Sequence, residues 1–482
     1  MSMETVPAQA PPFADDFAPQ MHEDFIVDFA DAQQKQVILL HPTEARWALT
    51  NRTGLEMARA FDGTHSIGVI AREFARNYGV EDAAAIAEDA RNFAAQLYRC
   101  NLLVNAPLPE DATPPPPKPR IPSMTIYVTE QCNLRCKHCS IVEGKMPDTL
   151  LTGDDIRRLI DEHTTNYDNP TVAFLGGEPF MRPDMADLVE YAAARTRTVN
   201  MSTNGFFVDE ALARRLGAIA PLNLQVSLDG ADPEVHDFIR GKGSFDKAWA
   251  AMQLLAKHGG AKRLTIAMTL TKAGLAQVKK MLRMCDETGI GKIRFLPLDR
   301  SKAAERNWER IAPDQSEFEE TTRYLIFDAR HREGAVTEVA GAFPGFVPKP
   351  AIRGGHWCPL GETLIVNSQG ETYNCPLGTG GDVPSIGNIY KGKLSEMLAG
   401  ERNKSARERM LSRRYVVEEC TTCAWRNFCQ GGCSAFIAHR SGSFYINDAA
   451  CEFRRNLYRE NVIRQARAGD VPESGHEGEG KA

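Results

Sequence analysis

The chain has 482 residues, enough for about three domains of roughly 150 residues each. Its composition, 43% hydrophobic and 25% charged residues, is that of a soluble globular protein, and its net charge of -6 excludes a general affinity for nucleic acid or anionic membranes. No apolar run approaches the length of a membrane span and the N-terminus "MSMETVPAQAPP" lacks a basic-then-apolar signal, so we predict a cytoplasmic protein.

The 12 cysteines fall into two clusters and two isolated positions. Three lie within residues 132–139, seven lie between 358 and 451, and Cys100 and Cys285 stand alone in apolar helical sequence. Because a reducing compartment disfavours structural disulfides, the clustered cysteines indicate metal or redox chemistry. The two isolated cysteines are predicted to be small buried hydrophobic residues.

Residues 1–21 are rich in Pro, Ala and Asp and are predicted to be disordered. Residues 22–104 predict a winged-helix-like α+β domain, because three strand segments ("DFIVDFA", "QVILLHP" and "RWALTN") precede three segments with apolar residues at helical spacing. A DNA-binding winged helix has a similar arrangement. Charge disfavours that function, since residues 20–105 contain eight Lys and Arg against twelve Asp and Glu.

The stretch "LHPTEARWALTNRTGLEMARAFDGTHSIGVIAREF" resembles the PqqD peptide chaperone of pyrroloquinoline quinone biosynthesis, the precursor-recognition element of ribosomal peptide pathways. The resemblance implies that a leader peptide adds as a strand to the sheet edge, through main-chain hydrogen bonds and side-chain pockets. A purely structural appendage is the alternative. Residues 105–122, with eight prolines in eighteen positions, predict a semi-rigid linker that raises the local concentration of a bound substrate.

Strand and helix segments alternate from residue 123 to 310. The strand segments are "MTIYVT", "TVAFL", "TVNMST", "LNLQVSL", "RLTIAMTL" and "KIRFLPL". Repeated βα units predict a parallel sheet with right-handed crossovers, and six units are too few for a closed eight-stranded barrel. We therefore predict an α/β fold with a partial (β/α)6 barrel. A bridging helical region (311–354), a cysteine-rich domain (355–462) and a disordered tail (463–482) complete the predicted organisation.

Polar or glycine-rich motifs follow the first four barrel strands: "CNLRCKHC", "GGEP", "STNG" and "SLDG". Because parallel α/β folds gather their chemistry at the carboxyl ends of strands, we expect these motifs to meet at one edge. Cys132, Cys136 and Cys139 suit a four-iron, four-sulfur cluster in which one iron is left for an exogenous ligand. An amine and carboxylate chelating that iron would need polar partners, for which the candidates are Glu178, Ser202, Asn204, Ser227 and Arg240.

"CNLRCKHC" together with "GGEP", "STNG" and "VSLDG" resembles the radical S-adenosylmethionine (radical SAM) enzymes over residues 124–298. The resemblance implies that the three cysteines bind a cluster whose open iron holds S-adenosylmethionine. Reductive cleavage then yields a 5′-deoxyadenosyl radical that abstracts hydrogen. The residues matching the motif for the methionine amine are Gly176, Gly177, Glu178 and Pro179. The alternative is a treble-clef-like zinc site, with the glycines serving only as strand-end turns.

The second cysteine group resembles the SPASM domain, which carries two auxiliary four-iron clusters. Seven cysteines fit poorly with one or two zinc ions, although C-x2-C alone could belong to a zinc ribbon. The resemblance implies that the outer cluster is bound by Cys420, Cys423, Cys429 and Cys451, and the inner one by Cys358, Cys375 and Cys433. With the first cluster, three [4Fe–4S] clusters are expected.

The sequence differs from the related sulfatase maturases at two places, and both differences limit the reactions that the enzyme could catalyse. Those enzymes have a fourth inner ligand shortly after the first cysteine, whereas "CPLGETLIV" here contains none. The inner iron could instead take a non-cysteine protein ligand or a substrate thiolate, which is a preferred ligand of such clusters. In the maturases an aspartate base also follows the cysteine matched by Cys375. Pro376 stands there in this chain and cannot take a proton, so formylglycine formation is disfavoured.

We therefore predict a radical SAM enzyme that modifies a ribosomally made precursor peptide bound through its leader, with flavodoxin or ferredoxin as electron donor. The open inner iron favours a thioether between a cysteine sulfur and a carbon, as in maturation of quinohemoprotein amine dehydrogenase or in sactipeptide and ranthipeptide synthases. Carbon–carbon crosslinking and oxidative decarboxylation are the alternative reactions. A non-catalytic peptide-binding scaffold is the alternative of another class. No nucleic-acid or membrane partner is expected.

Overall fold

The computed structural model of the chain describes residues 13–31, 33–106, 123–141, 150–167, 170–300, 302–329, 336–339, 363–375 and 384–467. Several predictions concern residues outside these ranges. They are the ligand role of Cys358, the replacement of a base by Pro376, the linker from residue 107 to 122, and disorder at residues 1–12 and 468–482.

The N-terminal unit is a three-stranded antiparallel sheet followed by three helices, as predicted. Its strands are β1 (Ile26–Phe29), β2 (Gln36–Leu40) and β3 (Trp47–Asn51), with β2 in the centre. Its helices are α1 (Arg52–Ala60), α2 (Ile67–Tyr78) and α3 (Ala83–Arg99). The side chains of Asn51 and Asp82 accept backbone N–H bonds at the starts of α1 and α3, which explains where these helices begin. Cys100 is buried in the core of this unit, as predicted.

Residues 13–21 pack against the N-terminal unit. Phe13 and Met21 are buried in its core, and the N–H of Met21 donates to the carbonyl of Phe61 at 2.8 Å. The prediction of disorder up to residue 21 was therefore wrong for this segment. The prediction of disorder rested on the high content of Pro, Ala and Asp. Composition does not show that two apolar side chains of the segment are buried against residues that lie far away in the sequence.

The central sheet contains the six predicted barrel strands in sequence order, each parallel to the next. They are β4 (Ser123–Tyr127), β5 (Thr171–Leu175), β6 (Thr198–Thr203), β7 (Leu222–Ser227), β8 (Leu264–Leu270) and β9 (Lys292–Pro297). The predicted partial (β/α)6 barrel is confirmed. All six strands send their carboxyl ends to one edge, because parallel strands must be joined by crossovers.

The crossover helices cover one face of this sheet. They are α4 (Gly153–Asn166), α5 (Met185–Ala193), α6 (Glu210–Gly217), α7 (Pro233–Arg240), α8 (Ser244–Gly259), α9 (Lys272–Leu275) and α10 (Val278–Thr288). Two 3-10 turns, Pro179–Met181 and Ala261–Arg263, lie between them. Thr152 and Asp155 form a reciprocal capping box that fixes the start of α4. Apolar side chains of the helices and strands form the main core, which includes Cys285.

Within the described parts of the chain, four further strands extend the barrel sheet to ten strands. At one edge, β10 (Val336–Val339) pairs parallel with β9. At the other, β11 (Thr363–Val366) pairs parallel with β4 and continues antiparallel into β12 (Glu371–Tyr373) and β13 (Gly387–Asn388). The region 311–354 was predicted to be helical, which is wrong for β10. Four residues are too few to carry a periodic signal, and the neighbouring edge of β9 decides their conformation.

The remaining helices are α11 (Lys302–Ile311), α12 (Gln315–Phe327), α13 (Leu394–Ala399), α14 (Glu401–Leu411), α15 (Arg413–Val416), α16 (Glu418–Thr421), α17 (Arg426–Cys429), α18 (Ser434–Ser441) and α19 (Cys451–Arg467). Since α19 continues to Arg467, the prediction of a disordered tail from residue 463 was wrong for residues 463–467. Among the described residues, no helix combines the length and the apolar character needed to cross a bilayer.

The buried imidazole of His163 in α4 makes stability depend on pH. Burial lowers the pKa of His163 to about 4, against about 6.5 in the unfolded chain. The unfolded state therefore takes up a proton between these values while the folded state does not, so stability present above pH 6.5 is lost as the pH falls toward 4. We expect this histidine to lower the free energy of unfolding by up to about 3 kcal/mol across that pH range. His163→Leu should reduce the drop in thermal midpoint between pH 7 and pH 5. His65→Gln, at an exposed histidine, should not reduce it.

Candidate active site

The four predicted motifs lie side by side because the strands that carry them are neighbours in the order β4-β5-β6-β7. The cysteine loop follows β4, the "GGEP" segment follows β5, Asn204 follows β6 and Asp229 follows β7. Each motif follows the carboxyl end of its strand, so the four motifs lie at the same end of the sheet, as predicted.

The cysteine loop folds back on itself, which places its three cysteines near one another. The N–H of Cys139 donates to the carbonyl of Cys136 at 3.2 Å. Burial raises the pKa of Cys136 to about 12, and Cys139 and Cys132 lie near enough to raise it further. Burial likewise raises the pKa of Cys132. Thiols in this environment need a nearby positive charge to lose their protons, which a bound metal provides.

The two glycines of "GGEP" let the loops after β4 and β5 touch. The N–H of Gly177 donates to the carbonyl of Thr129 at 2.8 Å, and that of Glu178 donates to Gln131, also at 2.8 Å. A Cβ atom on Gly177 would lie 2.2 Å from the Gln131 carbonyl oxygen, and one on Gly176 would lie 2.3 Å from that of Thr129. Only glycine fits at both positions, so the motif provides close backbone contact between the two loops.

Glu178 joins the ends of β5 and β6. Its carboxylate is fully buried and accepts bonds from Thr203 Oγ1 at 2.8 Å and from the N–H groups of Asn204 at 2.7 Å and Phe180 at 3.1 Å. Burial raises the pKa of Glu178, although these donors oppose the shift. Because a carboxylate offers about four acceptor positions, one remains for the ammonium donor predicted from the sequence.

Asn204 connects the end of β6 to the cysteine loop. Its amide nitrogen donates to Asn133 Oδ1 at 2.9 Å and lies 3.9 Å from Cys132 Sγ. The amide oxygen accepts the N–H of Phe206 at 2.9 Å. This predicted residue therefore stands directly against the thiol of a predicted ligand.

Ser202 and Ser227 lie on the sheet face that the helices do not cover. Side chains alternate along β6 and β7, with apolar residues buried under the helices and polar residues half-buried or exposed on the other face. Ser202 Oγ accepts a bond from Gln225 Nε2 at 2.9 Å, and Asn223 Nδ2 donates to Asn200 Oδ1 at 3.2 Å. The inner face of the barrel is therefore polar here, which suits the binding of hydroxyl and carboxylate groups.

Asp229 ties the cysteine loop to the end of α7. Its Oδ2 lies 2.5 Å from both His138 Nε2 and Arg240 Nε, and its Oδ1 accepts the N–H of Thr269 at 2.8 Å. Burial alone would raise the pKa of Asp229, but Arg240 and His138 outweigh burial and hold the pKa well below its usual range. Arg240 Nη1 is 4.0 Å from Cys136 Sγ, so Asp229 aims this guanidinium at the cysteine loop.

Asp229 and His138 were not among the predicted site residues. Their signals were present, as the acid of "VSLDG" and the histidine between the second and third cysteines. Neither signal distinguishes a site residue from an ordinary turn residue, because the contact between them joins positions 91 residues apart.

The second cysteine group divides into two sets in space. Burial raises the pKa of Cys420 to about 11, and Cys429, Cys451 and Cys423 are near enough to contribute. Separately, Cys375 and Cys433 pack in one small apolar cluster with Ala435, Ala438 and Phe444. The first set contains the four cysteines predicted for the outer cluster, and the second contains two of the three predicted for the inner one. Their roles as cluster ligands stay predictions, and Cys358 lies outside the described residues.

Three segments of the chain match known families. Residues 126–285 match the Radical SAM superfamily, residues 36–103 match Coenzyme PQQ synthesis protein D (PqqD), and residues 358–424 match the SPASM iron–sulfur cluster-binding domain. The mycofactocin maturase MftC of Mycobacterium tuberculosis is 30% identical over 327 residues, which are 65% of this chain and 78% of that protein. The chain belongs to the radical SAM superfamily.

The chain is also similar to a second curated protein and to a solved structure. The AdoMet-dependent heme synthase of Methanosarcina barkeri is 24% identical over 349 residues, 68% of this chain and 95% of that protein. SuiB of Streptococcus suis, solved with S-adenosylmethionine, has the same fold with a TM-score of 0.58 at 16% identity, covering 90% of this chain and 100% of that chain. The predictions of a radical SAM enzyme with PqqD-like and SPASM domains, S-adenosylmethionine and [4Fe–4S] clusters are confirmed.

The donor atoms present fit the clusters of a radical SAM enzyme. No three Cys, His, Asp or Glu side chains in the described ranges are close enough to hold one metal ion together. A four-iron cluster instead takes one thiolate for each iron, so its ligands stand farther apart. Buried arginines offset negative charge at two of the cysteine sets, with Arg240 beside Cys136 and Arg454 Nη2 3.8 Å from Cys451 Sγ.

We expect Gly177→Ala to weaken the binding of S-adenosylmethionine. The added Cβ would collide with the Gln131 carbonyl and separate the loops after β4 and β5, at a cost of about 1–3 kcal/mol in stability. Equilibrium dialysis of the reconstituted enzyme and its thermal midpoint measure both effects. Gly392→Ala is the matched control, because a Cβ there would lie 3.5 Å from its nearest neighbour. Unchanged binding by Gly177→Ala would show that the close approach is not needed.

We expect Asp229→Asn to destabilise the radical SAM domain by about 3–5 kcal/mol, because it leaves the buried Arg240 without its countercharge. Because the pKa of Asp229 is lowered in the folded protein, the stability that its carboxylate contributes is present above about pH 4 and is lost on acidification. Thermal unfolding at pH 7 measures the loss. The exposed Asp246 offers the control Asp246→Asn, which should leave the midpoint within experimental error.

Proposed function

We propose that this radical SAM peptide maturase forms a thioether crosslink in a ribosomally made precursor peptide, joining a cysteine sulfur to a carbon of another residue. The observation that carries the proposal is the inner cysteine set, which has three members and no fourth cysteine in the segment where related maturases have one. A substrate thiolate would complete that set, since thiolates are the preferred ligands of such clusters.

The proposal assigns the cofactor ligands as the sequence predicts. Cys132, Cys136 and Cys139 would hold the first cluster, and the residues beside it that would bind S-adenosylmethionine are Gly176, Gly177, Glu178, Pro179, Ser202, Asn204, Ser227 and Arg240. Bound together, these two cofactors supply hydrogen-atom abstraction from carbon. The outer cluster would be held by Cys420, Cys423, Cys429 and Cys451, and the inner one by Cys358, Cys375 and Cys433.

Two features of the fold support a peptide lying between the first and inner sites. The first cysteine loop follows the carboxyl end of β4, whereas the antiparallel turn from β11 into β12 directs Cys375 toward the amino end of β4. A five-residue strand spans about 17 Å, so the two sites are separated by roughly that distance along the direction of β4. The second feature is α18, which starts directly after Cys433. Its His439 Nδ1 meets Asp299 Oδ2 at 3.1 Å just beyond β9, so the helix that follows the inner set reaches the carboxyl end of the barrel, where the first cysteine loop lies.

The PqqD-like domain supports the choice of a precursor peptide as substrate. Domains of this kind recognise the leader, which adds as a strand to a sheet edge. SuiB has been solved in complex with its precursor peptide SuiA, and that protein has the same fold over 90% of this chain. We propose that the leader binds residues 22–104 here, and that flavodoxin or ferredoxin donates the electron.

A carbon–carbon crosslink is the second candidate, and the contact between Asp299 and His439 favours it. When a carbon radical adds to an aromatic ring, the ring must lose a proton and one electron to recover its aromaticity, and an auxiliary cluster would take up the electron. An imidazole paired with a carboxylate at the end of a barrel strand is a suitable acceptor for that proton. In thioether formation the carbon would lose one hydrogen atom to the 5′-deoxyadenosyl radical and the thiol would lose its proton, while the inner cluster would take up the remaining electron. No base for a ring proton is then needed.

Mass spectrometry of the product separates these reactions. The substrate is any short cysteine-bearing peptide that an open reading frame beside this gene is found to encode. It is incubated anaerobically with the reduced enzyme and S-adenosylmethionine, then alkylated. Loss of two hydrogens with one thiol blocked to alkylation is the expected result. The same loss with every thiol free would establish a carbon–carbon bond, and loss of carbon dioxide would establish decarboxylation. Either of these outcomes would overturn the thioether proposal.

We expect Cys375→Ala to abolish the crosslink while 5′-deoxyadenosine formation continues, because the substituted residue belongs to the inner set and not to the first. Chromatography of 5′-deoxyadenosine and mass spectrometry of the peptide give the two readouts. Cys285→Ala is the matched control, since Cys285 is a buried core cysteine in α10 and should retain both activities. Crosslinking by Cys375→Ala at the parent rate would contradict the role of the inner set.

A further inference from the structure

The PqqD-like unit is packed onto the C-terminal domain. One face of its sheet presents Ile38, Leu40 and Trp47, which form a buried cluster with four residues of the cysteine-rich domain. These four are Trp425, Phe428, Tyr458 and Val462, all almost fully buried. The proline-rich linker, which joins this unit to the radical SAM barrel, was predicted to raise the local concentration of a bound substrate. The apolar contact gives the same unit a second, direct attachment to the cysteine-rich domain.

The C-terminal half of this contact comes from the two segments that carry the outer cysteine set. Trp425 and Phe428 lie between Cys423 and Cys429, whereas Tyr458 lies on α19, which begins at Cys451. The rings of Trp425 and Tyr458 are stacked with their centroids 5.3 Å apart, and Phe428 stands edge-on to Trp425 at 5.2 Å. The sheet of the PqqD-like unit thus covers the place where these two segments meet.

Asp28 of β1 bonds to both segments at once. Its Oδ2 accepts the indole N–H of Trp425 at 2.6 Å and the Nε–H of Arg459 at 2.9 Å, and its Oδ1 accepts from Arg459 Nη2 at 3.0 Å. Trp425 belongs to the cysteine-bearing loop and Arg459 to α19. A bidentate guanidinium–carboxylate pair fixes direction as well as distance, so one carboxylate sets the position of both segments.

A second polar contact supports the same docking. Asn427 Nδ2, also between Cys423 and Cys429, donates to the carbonyl of Pro42 in the loop between β2 and β3 at 2.8 Å. The cysteine-bearing loop therefore bonds to the PqqD-like unit through the side chains of Trp425 and Asn427. Phe428 and Cys429 of the same loop pack in the apolar cluster.

We propose that the PqqD-like unit is a structural part of the outer cluster site, in which Asp28 holds the loop of Cys420, Cys423 and Cys429 against the helix of Cys451. The proposal rests on the ligand assignment made under the proposed function, but not on which bond the enzyme forms. A cluster that draws its ligands from two segments is retained only while both stay in place. Changing Asp28 therefore lowers cluster occupancy without altering any cysteine.

Loss of the Asp28 carboxylate does not leave Arg459 without a partner. Arg459 Nη1 also donates to Asn456 Oδ1 at 3.0 Å and lies 3.8 Å from Glu452 Oε1, both on its own helix. The guanidinium can turn to these groups when Asp28 is changed. The expected consequence is separation of the two segments, with α19 itself still folded.

The test measures iron in the full-length enzyme carrying Asp28→Asn, after anaerobic reconstitution. Asparagine keeps the size of the side chain and can still accept the Trp425 N–H, but it loses the ionic pair with Arg459. We expect iron to fall by about four per chain, one cluster, with the matching loss of one signal in the electron paramagnetic resonance spectrum of the reduced protein. The signal that responds to S-adenosylmethionine should remain, as should leader binding measured by fluorescence anisotropy.

One control variant and one replacement variant complete the test. Asp24→Asn, at an exposed acid four residues before Asp28, should retain full iron content. If Asp28→Asn fails to fold, Trp425→Phe takes its place, because it removes one donor to Asp28 and keeps an aromatic ring in the cluster. Parent-level iron in a folded Asp28→Asn or Trp425→Phe protein overturns the proposal. A wrong crosslink assignment would change the peptide product and leave these iron measurements untouched.

Discussion

Parallel strands can be joined only by crossovers that return the chain to the starting end of the sheet, so every barrel strand delivers its carboxyl end to the same edge. The cysteine loop, the "GGEP" segment, Asn204 and Asp229 are neighbours for this reason. The glycines then let adjacent loops touch through backbone bonds at 2.8 Å. Side chains such as Glu178 can only refine a site whose location the sheet has already determined.

Buried carboxylates connect parts of the chain that the sheet cannot connect. Asp229 joins the cysteine loop to α7, and Asp28 joins the N-terminal unit to two segments of the cysteine-rich domain. Each is largely buried and bonded to an arginine together with a second group. An uncompensated charge in such a place is costly, so removing one partner of either pair is expected to destabilise the arrangement of the loops that the pair connects.

The chain's elements differ in how far local sequence predicts them. The six barrel strands and the three N-terminal helices have enough residues for an apolar period to emerge, and they were found where predicted. Strands β10 to β13 have only two to four residues, and an existing sheet edge determines their conformation. Residues 13–21 were misjudged for a similar reason, because Phe13 and Met21 are ordered by a surface built from distant sequence.

The sequence by itself determined the class of enzyme to which this protein belongs. The spacing of the cysteines, the "GGEP" motif and the PqqD-like stretch identified a radical SAM peptide maturase, because short motifs encode local loop geometry and ligand type. Only the tertiary structure decided that Asp229 and His138 belong to the site, and that the PqqD-like unit is docked through Asp28. These contacts join residues 91 and up to 431 positions apart, and no local pattern records which distant side chain a buried charge will meet.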